Sequence, residues 1–197
     1  TIDDIVAALH RGGEGGRCIS VIGSERDVGT TLTAIALARA LSRTARVVLV
    51  DLAFVSPNVD AISDDPAAPG MAELVRGTAS FGDVITKDRG SRAHLVAAGQ
   101  VGNDANGLFQ SQMLWAAIGA LVQSYDYLVI DAGAQSGAAL APVAVAAPYA
   151  VLVGGDTPAP ALAALAGQMQ AAGFAEVAVR SGPPPALDEI AAAQSAA

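Results

Sequence analysis

A chain of 197 residues, 52% hydrophobic and 15% charged, is long enough for one domain with a substantial core. Its net charge of −8 excludes a general nucleic-acid binder, because phosphate contacts need clustered Lys and Arg. Here Lys87 is the one lysine and the arginines are scattered. The one cysteine, Cys18, allows no internal disulfide and fits a reducing cytoplasm; at the head of an apolar run it reads as a small core residue.

In chain order, "TIDDIVAALH" sets Ile2, Ile5, Val6 and Leu9 at helical spacing behind a Thr1 cap, and "RGGEGG" breaks it as a flexible linker. This N-terminal unit covers 1–16. Over 17–182, short apolar runs alternate with helical patterns. "CISVIG" is a predicted strand, "TLTAIALARALS" a helix and "RVVLVD" a strand. "GMAELVRG" and "SFGDVI" are predicted short helices, followed by the strand "HLVAAG", the helix "SQMLWAAIGALVQS" and the strand "YDYLVIDAG". After "GAALAPVAVAA" come the strand "YAVLVGG", the helix "APALAALAGQMQAAG" and the strand "EVAVRS". The tail, 183–197, starts with a proline stop and is expected to end in a short helix or disorder. Continuous β-branched runs mean strands buried on both faces, and the intervening helices supply right-handed crossovers. The expected fold is α/β, a doubly wound, mostly parallel sheet flanked by helices, with ligand space at the carboxyl ends of its strands.

The loop between the first strand and its helix, "SERDVGTT", has the layout of a phosphate cradle, in which loop amides and a helix N-terminus converge on an anion. The usual text is G-x-x-x-x-G-K-[ST]. Gly29 fits the second glycine and Thr31 the Mg²⁺-binding hydroxyl. Ser24 stands at the first glycine and Thr30 at the lysine. The candidate site is therefore Ser24, Glu25, Arg26, Asp27, Val28, Gly29, Thr30 and Thr31. By that match alone, an ordinary strand-to-helix turn is an equal reading. Asp51 and Asp131, each ending a strand, face the same crevice and are the candidate Mg²⁺ and catalytic carboxylates beside Thr31.

Other residues carry less. His10 and His94 lack partners at metal spacing, and Ser63–Asp65 reads as a solvated loop. Asn103 and Asn106 suit turns; Met113, Trp115, Ile118, Leu121 and Val122 suit core or interface packing.

The segments together resemble the cytoplasmic domain of the bacterial tyrosine kinases (BY-kinases) attached to polysaccharide copolymerases, within the MinD/ParA-like P-loop group. "PGMAELVRGTASFGDVI" resembles the family's PGL-x-[DE]-[LV]-L-x-G stretch, "HLVAAGQVGNDANGLFQSQ" its L-x-x-G-x-x-P-P-N-P-x-E-L-L-x-S stretch, and "SYDYLVIDAGA" its Y-D-x-[IV]-[IV]-I-D-x-P-P. The resemblance spans roughly 18–180. It implies a P-loop NTPase-like, three-layer sandwich with ATP and Mg²⁺ as the family's cofactors. It also implies a role in capsule or exopolysaccharide chain-length control and export at the inner face of the cytoplasmic membrane. The partners it implies are a polysaccharide copolymerase or other membrane proteins of the export complex, and further copies of the chain in a homo-oligomer. Thr1 is not an initiator, so any anchor is expected in a missing segment or a partner.

Departures from the family are specific. Lysine is replaced by Thr30. The family's D-x-D-x-R after the second strand reads Asp51, Ala53, Val55 here. The first helix lacks E-x-x-R-x-x-R, and the C-terminal segment lacks the phosphoacceptor tyrosines; Tyr125, Tyr127 and Tyr149 lie in or beside strands. A carboxylate ~4 Å from a phosphate charge opposes it by roughly 4 kcal/mol at an effective dielectric near 20. Glu25 and Asp27 therefore work against a triphosphate, and Arg26 on the rim does not replace a lysine. The expectation is a kinase-like domain with catalysis lost or weakened, acting through protein contacts. Two alternatives are an active autophosphorylating tyrosine kinase and a MinD/ParA-like positioning ATPase of pilus assembly.

Overall fold

The computed structural model describes residues 1–186. The sheet has seven strands: β1 (Cys18–Gly23), β2 (Val47–Asp51), β3 (Ile85–Lys87), β4 (His94–Val96), β5 (Tyr127–Ala134), β6 (Tyr149–Gly155) and β7 (Glu176–Ser181). They lie in the order β3-β4-β2-β5-β1-β6-β7, all parallel except β3, which runs against β4 at one edge. The predicted P-loop NTPase-like α/β sandwich is the observed fold. β3 is a departure: its three residues pair Ile85 with Val96 and Lys87 with His94, where the sequence reads as the end of a helix. A three-residue edge strand is too short to show periodicity.

Among the described residues eight α-helices flank the sheet: α1 (Ile2–Arg11), α2 (Thr30–Leu41), α3 (Met71–Arg76), α4 (Phe81–Val84), α5 (Ala105–Gln110), α6 (Gln112–Ser124), α7 (Leu140–Ala146) and α8 (Ala159–Ala172). Alternate strand residues feed two cores. Val48, Val50, Leu128, Ile130 and Leu152 pack under the layer of α3 and α5 to α8, through Met71, Leu114, Ile118, Val143 and Leu162. Val47, Leu49, Val129, Val151 and Ile19 pack under α1 and α2, through Ile5, Leu9, Ile35, Leu37 and Leu41. A central strand buried on both faces explains the unbroken apolar runs.

The Thr1 cap is present: its hydroxyl accepts from Asp4 N, and its own backbone nitrogen donates to the Asp4 carboxylate, closing a capping box. "GEGG", expected to be a flexible linker, is instead a 3-10 turn. Gly16 lies so close to Leu9 that a Cβ there would sit 2.6 Å from its carbonyl oxygen. Cys18 is half-buried, and burial pushes its thiol up. Among the described residues no helix is long and apolar enough to cross a membrane. The expected structure of the tail falls largely on 187–197, outside the described residues.

The edge is tied to the body by an ion pair that the sequence does not advertise. Arg39, facing inward from α2, donates to both Asp88 oxygens at 2.7 and 2.8 Å, and both residues are buried. Burial acts to raise the Asp88 carboxyl. Hydrogen bonds from Arg39, Ser91 and the Gly90 amide outweigh it, leaving the group below the usual carboxylate range. Full satisfaction of the acceptor makes such a buried pair tolerable.

Candidate functional site

Residues 24–31 form the turn from β1 into α2. Ser24 N donates to the Val153 carbonyl at 2.8 Å, and Ser24 Oγ lies 2.9 Å from Thr157 Oγ1, which straps the turn to the end of β6. The chain then runs outward through exposed Glu25, Arg26 and Asp27. Asp27 has φ 61°, the left-handed region that Asp tolerates better than most residues. Gly29, at φ 87°, starts α2. The amides of residues 25–29 make no hydrogen bond to any described residue. The turn thus presents the ring of N–H donors that an anion cup requires.

Thr30 lines the cavity beside that cup but brings it no charge. It is 8% exposed, and a Cβ on Gly23 would fall 2.5 Å from its Oγ1, so its side chain folds back on the end of β1. Residue 30 contributes no charge to the rim, which carries two carboxylates and one guanidinium. The neighbouring Thr31 points the other way: its hydroxyl donates to Asp131 Oδ2 at 2.5 Å, while Gly133 N donates to Oδ1. The predicted hydroxyl and carboxylate are therefore brought together.

Asp51 is held differently. Ala53 N donates to one oxygen and the Asn58 and Val59 amides to the other, each at 3.0 Å. The carboxylate thereby closes the loop after β2. Burial first, then the Asp131 charge, push its carboxyl up to about 7, against the lowering effect of the three amides. Burial likewise raises Asp131, against the hydrogen bonds from Thr31 and Gly133.

An open cavity of about 320 Å³ lies beside the turn, lined by Arg26, Thr31, Phe54, Gln135 and Pro184 among others. Pro184 comes from the segment read only as a proline stop. Its ring occupies the space a Gly29 side chain would need. Phe54 and Gln135, also absent from the sequence reading, follow β2 and β5 at the carboxyl edge. That placement is the only signal that could have found them. His94 and His10 do not enter the site; they pack edge-to-face on Tyr125 and Tyr127.

The chain superposes on the kinase domain of the Escherichia coli tyrosine kinase ETK with TM-score 0.81 and 16% identity, over 93% of this chain and 74% of that one. The chimerical protein CapA2B2 matches with TM-score 0.80 and 15% identity, over 93% and 84%. MinD from Pyrococcus horikoshii, solved with Mg-ADP, matches with TM-score 0.66 and 20% identity, over 83% and 67%. These neighbours share the chain's fold. No protein-family model matches the sequence, and no curated protein matches it.

Proposed function

We propose that this is a kinase-like P-loop domain of exopolysaccharide or capsule biosynthesis and export that has lost phosphoryl transfer and works through protein contacts. The observation that carries the loss of catalysis is Thr30 itself, an uncharged, buried side chain at the position where the resembling family has lysine. Phosphoryl transfer depends almost wholly on positioning and charge stabilisation. The residues present fit one half of a nucleotide site. Thr31 and Asp131 offer the hydroxyl and carboxylate that would hold Mg²⁺, with Asp51 behind them, and the free loop amides offer donors to phosphate. They do not fit the other half, since two rim carboxylates outnumber the single guanidinium of Arg26. A nucleoside triphosphate is thus poorly matched, and no transfer step is assigned.

The polysaccharide role rests on the segment-by-segment resemblance to the BY-kinases, supported by higher TM-scores to tyrosine kinase domains than to MinD. It carries with it a membrane-protein partner of the export complex, placing the domain at the cytoplasmic face of the membrane. The test is genetic and chemical together. Deleting the gene should change the amount or chain length of surface polysaccharide, and an Asp131→Ala allele should restore it. Mass spectrometry after incubation with Mg-ATP should find no phosphotyrosine. Unaltered polysaccharide on deletion would overturn the export role; phosphotyrosine, or failure of the Asp131→Ala allele alone, would overturn the loss of catalysis.

A further inference from the structure

A second and larger cavity, about 690 Å³, opens at the opposite end of the sheet from residues 24–31. Val47 begins β2, His94 begins β4, and Asp126 immediately precedes β5, so the floor lies at the amino ends of three adjacent strands. The last turns of α6 form one wall through Ala120, Leu121 and Ser124. This cavity shares no residue with the phosphate-type turn.

Its chemistry is two-sided. Val47, Phe81, Ile85 and Leu121 give an apolar surface, and Phe81 remains 36% exposed. The other side gathers cations in a chain that is acidic overall. Arg92 is fixed by its Nε and Nη2, which donate to the Ser42 carbonyl at 3.2 and 2.9 Å, and Nη2 also reaches the Arg43 carbonyl. Arg46 is clamped on Asp126 through Nε and Nη2, and Arg17 Nε donates to the Asp126 carbonyl. Of these guanidiniums only Arg46 is neutralised by the Asp126 carboxylate, Arg92 is held by main-chain carbonyls, and Nη1 of both Arg46 and Arg92 has no partner among the described residues. His94 Nδ1 lies 2.7 Å from the Tyr125 hydroxyl. That contact occupies Nδ1, and His94 Nε2 has no partner among the described residues.

We propose that this cavity binds a small amphipathic anion, its ring-sized apolar body on Val47, Ile85 and Leu121 and its carboxylate or phosphate against Arg92 and His94. A cation would meet the guanidiniums, and a wholly apolar molecule would strip water from their unpaired N–H groups without replacing it. Cavity size, apolar lining and a few convergent polar groups are the usual marks of a small-molecule site.

Amide chemical shifts of the intact chain, titrated with 2-naphthoate, phenyl phosphate and neutral 2-naphthamide, test this. At least one anion should saturate below about 1 mM, moving residues 92–95 and 120–126, with 2-naphthamide at least about tenfold weaker. Which anion binds tighter separates a carboxylate ligand from a phosphate one. Arg92→Gln should weaken the anion about tenfold. Ala120→Trp, on an exposed helix position, should block the cavity without disturbing the fold. The proposal is overturned if neither anion saturates, if the amide binds equally well, if shifts centre on 24–31, or if Ala120→Trp binds as the parent does.

Discussion

Asp51 and Asp131 are register partners on adjacent parallel strands, and neither carboxylate meets a basic side chain. Among the described residues every donor to the pair is a backbone amide or the Thr31 hydroxyl. Both residues are fully buried, so the second negative charge is the costly one.

This pair sets the pH dependence of stability near neutrality. Asp51 is raised from 3.8 to about 7, so between those values the folded chain holds a proton that the unfolded chain has released. Stability therefore falls as pH rises through that window, by on the order of 4 kcal/mol for the full shift. Urea unfolding at pH 5 and pH 8 checks this, with the higher midpoint expected at pH 5.

Asp131→Asn should reduce that slope without abolishing it, because burial, the larger cause of the Asp51 shift, remains. The amide oxygen still accepts from Gly133 N, and the Thr31 hydroxyl can turn to accept from the new NH₂. The buried repulsion on Asp51 disappears. The variant should gain roughly 1–3 kcal/mol at pH 8 and little at pH 5, read by the same unfolding curves.

Arg39→Ala should be among the most damaging single changes. It leaves Asp88 ionised, buried and short of its main partner, a loss of about 3–5 kcal/mol. Arg39→Lys should recover only part, because an ammonium cannot reproduce the two parallel hydrogen bonds. Thermal unfolding of the three proteins gives the ranking.

Gly29→Ala should cost about 1–2 kcal/mol, since φ 87° disfavours any side chain and the Pro184 ring fills the space a Cβ needs. Amide exchange should quicken at Gly182 and Ala186, which flank the three prolines, before the sheet itself loosens.

Much of the fold was legible because the doubly buried strands, from "CISVIG" to "YAVLVGG", are unbroken apolar runs bounded by turn residues. The turn, Thr31 and Asp131 were legible through spacing from strand ends. Four features were not. β3 is too short to show a period; α5 (Ala105–Gln110) and the proline-bearing α7 (Leu140–Ala146) offer no clear helical stripe. The Arg39–Asp88 pair spans 49 residues of sequence, and only folding brings it together. The capture of Asp51 by three amides of its own following loop likewise depends on backbone geometry, which residue identity does not encode.

The central claim is that the cup at residues 24–31 keeps its amides but lacks the cation a triphosphate needs. Isothermal titration of the chain with ATP, with and without Mg²⁺, tests it most directly. The account predicts no binding tighter than about 1 mM for the parent and a measurable gain for Thr30→Lys. Micromolar, Mg²⁺-dependent binding of ATP by the parent would contradict it.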